Sequence, residues 1–348
     1  MSPNNKKRSV VLCPGRGSYG KDSLGYAQQM TSAKLDIADA FRTNAQKPTV
    51  REMDASTTFR SSWHVAGEHA SILTAAISGA DFDQIHAAHE IVAICGNSMG
   101  WYTALGLSGA VDYRDSIEVI ETMGEYQRGN VIGGQIVVSI TDDNWKINPA
   151  ELDMVEKAIQ EIPDLFWSIR LGGQAILGGS NEALETALQI LPKKTTQGRE
   201  FPFRLPLHSA FHTALMQEAH ERAIVDLAHI SMRSPVIPLV DGRGHIWRPK
   251  ACSGQDIFKY TFGNQVLEAY DFTRMVSSVL RNFAPDHIIL LGPGSNLGGS
   301  VAQVLIQEKW KGIQSKQDFI ALQESNPFVL AMARPEQRYL VTSSLSVV

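Results

Sequence analysis

Residues 90–111 read EIVAICGNSMGWYTALGLSGAV. The opening EIVAIC is a short run rich in β-branched residues, the pattern of a central strand buried on both faces. WYTALGLSGAV, at its end, carries helical spacing. Between the two, Gly96 and Gly100 stand two residues either side of Ser98. Surface turns and phosphate-binding loops often show the same spacing, so the flanks decide. Strand, tight glycine turn and helix together form the context of a nucleophile elbow, with the serine on a strained turn at the strand's carboxyl end. Glycines at those two positions permit strand and helix to approach closely. The stretch predicts an α/β fold with Ser98 as candidate nucleophile.

The same alternation extends on both sides. RSVVLC (8–13) reads as a buried strand ended by the glycine turn PGRGSYG. Helical spacing follows in SLGYAQQMTSAKLDIADAFRT and HASILTAAISGADFDQIHAA, and after the elbow in YRDSIEVIETMGEYQRG. From about residue 131 the pattern changes. GGQIVVSI, NPAELDMVEKAIQEI, FWSIRL, QAILGGS, NEALETALQIL and REFPFRLP give the order β-α-β-β-α-β, a ferredoxin-like arrangement. A small subdomain is therefore expected at 131–206, inserted in a large one made of 1–130 and 207–348. Strand, turn and helix patterns resume in SPVIPLVDGRG, NQVLEAYDFTRMVSSVLRNFA, DHIILLGPG and SNLGGSVAQVLIQ. Residues 306–348 give no clear pattern.

Composition sets the bounds. The chain has 348 residues, 43% hydrophobic and 20% charged, enough to bury a sizeable core. A net charge of -4 argues against nucleic acid, whose binding requires many phosphate-neutralising cations. Cys13, Cys95 and Cys252 lie far apart, which fits a reducing compartment and disfavours a disulfide framework or a structural zinc; no metal site is expected. The basic N-terminus lacks the apolar run of a signal peptide, and no stretch of about 20 apolar residues suggests a membrane span. A cytoplasmic protein that binds no membrane is expected.

A serine elbow needs a base and oxyanion donors. Of ten histidines, His208 and His212 lie in LPLHSAFHTALM, where the small subdomain ends and a cleft is expected. PGRGSYG, GNSMGWYTALGLSGAVDYRDSIEVIE, GGQAILGGSNEALETAL, LPLHSAFHTALM, SPVIPLVDGRG, YDFTRMVSSVL and LLGPGSNLGGSV stand in a specific order. In that order they resemble the malonyl-CoA:acyl carrier protein transacylases and the acyltransferase domains of fatty acid and polyketide synthases. The resemblance covers roughly residues 8–305. Gly15, Gly17 and Gly20 also match the spacing of a dinucleotide-binding turn. The other six blocks have no place in such a fold.

The resemblance implies an α/β-hydrolase-like large subdomain with a ferredoxin-like small one, and a ping-pong acyl transfer. Ser98 takes the acyl group from a thioester and His212 acts as general base, then general acid. The backbone N–H groups of Met99 and Arg16 form the oxyanion hole. A backbone carbonyl orients the histidine, and the VDGR turn makes Asp241 or Gly242 the candidate. His208 only neighbours the site. Acyl-CoA and acyl carrier protein are the implied partners of a monomer, with no cofactor beyond the phosphopantetheine thioester of the substrate itself.

Departures from the family carry the substrate question. Malonyl-specific members hold the malonyl carboxylate with an arginine in the helix after the elbow, and here that position is Met123. A methionine makes an adaptable apolar wall and cannot pair with a carboxylate. Arg128, five residues on, is turned about 140° away on a helix. The histidine usual before the nucleophile is Asn97, the acidic residue after Gly100 is Trp101, and the two glutamines of the glycine turn are Arg16 and Tyr19. Phe211 narrows the space beside the α-carbon. Asn97, Trp101, Met123, Gln174 and Phe211 are the candidate substrate contacts, with the Arg16 guanidinium as an alternative anchor. The expectation is transfer of an uncharged, non-malonyl acyl group. The alternatives are hydrolysis of stalled acyl groups on polyketide carrier proteins, and a non-catalytic relative that only binds carrier protein. An intact Ser98–His212 pair argues against the last.

Overall fold

The computed structural model describes residues 6–196 and 198–343. The start of the basic N-terminal stretch and the last five residues of 306–348 lie outside them. Thirteen strands are present among the described residues. They are β1 Lys7–Cys13, β2 His89–Gly96, β3 Gly134–Ser139, β4 Leu165–Leu171, β5 Gln174–Gly179, β6 Lys194–Thr196, β7 Arg199–Phe201 and β8 Phe203–Arg204, followed by β9 Leu239–Val240, β10 Ile246–Trp247, β11 Tyr270–Asp271, β12 His287–Leu290 and β13 Val329–Ala331.

One sheet has the order β10-β9-β2-β1-β12-β13, parallel throughout except for β10. Its central strands show why a continuous apolar run is needed. Val11, Cys13 and Ile94 enter the core on one face, while Val10, Leu12, Ala93 and Cys95 enter a second core on the other. Successive strand side chains point to opposite faces, so a strand covered on both sides has no polar position to offer.

The helices that matter for the site are α1 Ala33–Asn44, α2 Gly67–Asp83, α3 Gly100–Leu107, α4 Tyr113–Glu125 and α5 Pro149–Glu161, then α6 Asn181–Ile190, α7 Gln217–Asp226, α8 Phe272–Phe283 and α9 Leu297–Gln307. Asn148, with Pro149 in the first turn, caps α5, and Ser180 caps α6 through its side chain. Helix α4 is fixed to α1 by the buried Arg42–Glu121 pair, Nη1 to Oε1 2.5 Å, and Lys47 adds a second contact to Glu121 at 3.0 Å. Buried charges persist only when paired in this way.

The second sheet has the order β11-β4-β5-β3-β8. Strands β4, β5, β3 and β8 are antiparallel neighbours, and α5 and α6 belong to the same chain segment, so the β-α-β-β-α-β order read from the sequence is present. Two details differ. REFPFRLP is not one strand: Pro202 has no N–H to donate, and the run divides into β7, paired with β6, and β8, paired with β3. In addition β11, from far along the chain, joins β4 in parallel.

Residues 306–343, which showed no pattern, contain α10 Lys316–Ser325, β13 and α11 Pro335–Thr342. No described helix is long and apolar enough to cross a membrane.

Candidate active site

The elbow is built by close contacts. Strand β2 ends at Gly96 and α3 begins at Gly100, and Asn97 N–H donates to the Cys13 carbonyl at 2.9 Å, joining the ends of β1 and β2. A Cβ on Gly96 meets Gly100 backbone at 2.2 Å, and one on Gly100 meets the Cys13 carbonyl oxygen at 2.3 Å. Only glycine fits at either place. Ser98 itself has φ 54°, a left-handed conformation that a serine rarely adopts.

His212 also has positive φ, 59°. Its Nε2 lies 2.7 Å from Ser98 Oγ, and its Nδ1 lies 2.6 Å from the carbonyl oxygen of Gln265. That carbonyl accepts only a donor, so Nδ1 carries the proton and Nε2 is left to accept from the serine hydroxyl. Burial pushes the imidazole down to about 4, with the Gln265 bond opposing only in part. At neutral pH it is an uncharged base.

Gln265 does more than orient the ring. Its side-chain amide donates to the Ser98 carbonyl at 3.1 Å, and its Oε1 accepts from Tyr102 at 2.9 Å. It follows a π-helical turn, Tyr260–Asn264. The expectation for Asp241 or Gly242 is corrected here. The Asp241 carbonyl accepts from the Gly244 N–H at 2.8 Å, and the Gly242 carbonyl accepts from the Asp271 N–H at 2.8 Å. The hairpin turn is closed on itself and on β11, and does not reach the histidine.

Neither Met99 N–H nor Arg16 N–H has an acceptor among the described residues. Both stand beside Ser98 at the wall of a cavity of about 590 Å³. Two free N–H groups there can receive a developing oxyanion. The cavity runs between the elbow and the inner face of the second sheet, lined by Val137, Ile169 and Ile176 on that side.

The remaining candidates divide. Asn97, Met123, Gln174 and Phe211 all line the cavity. Met123 is half-buried and lines the cavity together with Ile120, Tyr102 and Val266. Arg128 is exposed, paired with Glu125, and absent from the lining. Trp101 is a correction. It is fully buried in the core, edge-on to Tyr260, with Nε1 donating to Thr261 at 3.0 Å, and it does not reach the cavity. At the first turn of a helix between two packed layers, its side chain takes the core-facing direction. Tyr19 is likewise buried, bonded to Asp54. His208 lines the cavity with Nδ1 on the Pro206 carbonyl, and burial with the Arg16 charge pushes it down to about 3.

The Arg16 side chain turns inward. Its Nη2 donates to the Leu207 carbonyl and its guanidinium lies 5.0 Å from the Phe211 ring centroid. Gln265 was missed from the sequence. A backbone carbonyl has no residue signature, and the π-turn before it has no reliable pattern.

No family model matches the chain. It is 26% identical over 237 residues to the malonyl CoA-acyl carrier protein transacylase of Escherichia coli O157:H7, covering 68% of this chain and 73% of that protein. The match to the Escherichia coli K12 protein spans 65% of that protein. It is 21% identical over 342 residues to the Staphylococcus aureus MW2 protein of the same name, covering 89% and 97%. Among solved structures, the malonyl CoA-acyl carrier protein transacylase of Coxiella burnetii aligns with TM-score 0.72 at 17% identity, over 98% of this chain and 100% of that one. The acyltransferase domain from the second module of the salinomycin polyketide synthase aligns with TM-score 0.69 at 17% identity, over 95% and 70%. The chain is thus similar in sequence to malonyl-CoA:acyl carrier protein transacylases, and shares with the solved structures of one of them and of the polyketide synthase acyltransferase domain one α/β fold.

Proposed function

We propose that this protein is a serine acyltransferase that moves a non-malonyl acyl group from a CoA or carrier-protein thioester to the thiol of an acyl carrier protein, in fatty acid or polyketide synthesis. The observation that carries the reading is the Ser98–His212–Gln265 line, with contacts of 2.7 and 2.6 Å at the cavity wall. In the first half-reaction Ser98 Oγ attacks the thioester carbonyl and its proton passes to His212 Nε2. The oxyanion is held by the Met99 and Arg16 N–H groups. The C–S bond breaks, the proton goes to the leaving thiolate, and an ester remains on Ser98. The second half runs the same steps in reverse with the carrier thiol as nucleophile, so atoms and protons balance over the cycle.

Met123 supports the non-malonyl reading. It stands at the cavity where an arginine is expected in malonyl-specific relatives, and a carboxylate set against its thioether has no ion pair to offset desolvation. The test is intact-mass spectrometry of the protein after incubation with acyl-CoAs, followed by addition of acylated or free carrier protein. An acyl adduct that leaves only when a carrier thiol is added supports transfer. Loss to water alone supports hydrolysis instead, and the absence of any adduct defeats both.

A further inference from the structure

The cavity beside Ser98 contains an uncompensated positive charge. Its lining includes Arg16 and, at the exposed rim, Arg199, but no aspartate or glutamate. Arg16 is 8% exposed, and no carboxylate oxygen among the described residues comes within 4.0 Å of it. Nη2 has the Leu207 carbonyl, while Nε is buried with no hydrogen-bond partner at all. Burial lowers the guanidinium to about 10, with Glu68 opposing only in part, so it remains cationic at neutral pH. Buried charges are ordinarily paired, because taking an ion out of water unpaired costs several kcal/mol.

The seat for this side chain is shaped. A Cβ at position 67 falls 2.9 Å from Arg16 Nη1 and 2.7 Å from Gln127 Cβ, so Gly67 is what leaves room for the guanidinium against the start of α2. Phe211 covers its face. A cation fixed in place with a free donor, at the wall of a cavity that contains the nucleophile, is arranged to receive an anion.

Resting on the acyl-transfer reading above, we infer that Arg16 is an anion subsite, and that the acyl group loaded on Ser98 is dicarboxylic, its free carboxylate held by the Arg16 guanidinium. The bond between Ser98 and the acyl carbonyl forms as described, and the distal carboxylate takes no part in the chemistry. It is bound from the glycine-turn wall, whereas α4 presents the neutral Met123. The guanidinium fork supplies Nε and one Nη, a geometry suited to two carboxylate oxygens. The competing role is structural: through Leu207, Arg16 braces the segment that leads to His212.

The two roles separate in the initial rate of acyl-Ser98 formation, read by rapid quench and intact mass with matched CoA thioesters. The pairs are malonyl with butyryl, succinyl with pentanoyl, and glutaryl with hexanoyl. The wild-type protein is expected to favour the dicarboxylic member of at least one pair by tenfold or more. Arg16→Gln is expected to reduce that ratio by tenfold or more, and Arg16→Lys to restore part of it. A wild-type ratio of one or below for every pair overturns the inference without any variant. A ratio unmoved in Arg16→Gln while both rates fall together overturns it in favour of bracing. Preference for malonyl alone keeps the Arg16 subsite and removes the non-malonyl reading, while failure of every thioester to load removes the acyl-transfer reading itself.

Discussion

The carbonyl oxygen of Gln265 lies 2.6 Å from His212 Nδ1, while the side-chain amide of the same glutamine donates to the Ser98 carbonyl at 3.1 Å. One residue therefore sets the tautomer of the His212 imidazole and steadies the backbone at Ser98. The orienting contact is a backbone group and no side-chain substitution removes it. Gln265→Ala deletes only the amide contacts, each worth about 0.5–1.5 kcal/mol. Acyl-enzyme formation is expected to slow by about tenfold, measured by rapid quench. His212→Ala, which removes proton transfer itself, is expected to slow it by about 10²–10⁴-fold.

The pH dependence follows from the burial of His212. Its imidazole lies at about 4, below the ordinary 6.5, so the base stays neutral through the physiological range. The rate of acyl-Ser98 formation is expected to hold from pH 7 to about 5 and to fall as pH nears 4. Stability moves the same way. The unfolded chain binds this proton between 6.5 and 4, so the contribution is full above 6.5 and is lost as pH falls through that window. A rate profile with its acid limb at 6.5 or above contradicts the buried, neutral base.

The elbow has no room for a methyl group. At Gly100 an added Cβ meets the Cys13 carbonyl oxygen at 2.3 Å and the Pro14 carbonyl oxygen at 2.8 Å, both backbone atoms that cannot turn aside. Gly100→Ala is expected to destabilise the fold by about 1–3 kcal/mol and to reduce acyl loading by displacing the strand end from the serine. Denaturant unfolding together with the loading assay checks both.

Trp101 belongs to the core. With its indole edge-on to Tyr260 and bonded to Thr261, truncation to alanine is expected to cost about 3–5 kcal/mol. Trp101→Phe keeps most of the packing, so its acyl-group preference is expected to match that of the wild-type protein. A changed preference in Trp101→Phe returns the residue to the substrate site.

Much of the site was legible in the sequence because it depends on residue type and local spacing. Gly96 and Gly100 on either side of Ser98 declare a tight turn, and β1 and β2 declare themselves by the apolar runs VVLC and IVAIC. His208 and His212 stood out together through their place at a junction between two patterns, and only the family resemblance chose His212. What the sequence concealed depends on direction or on backbone. Trp101 is one residue past the elbow, and which way it turns is decided by the layers packed around α3. The Gln265 carbonyl could be supplied by any residue at the end of that π-turn. The burial of Arg16 requires Gly67, fifty-one residues away, to leave space, and neither position signals the other. Strand β13 was missed because three residues carry too little periodicity and β12 alone supplies its partner edge.

Acyl transfer as proposed passes through an ester on Ser98. Intact mass followed by peptide mapping, after incubation of the wild-type protein and Ser98→Ala with a panel of acyl-CoAs, tests it most directly. The expected result is an acyl adduct in the wild-type protein that maps to the Ser98 peptide and is absent from Ser98→Ala. An adduct of equal yield in Ser98→Ala, or one that maps to another residue, contradicts it.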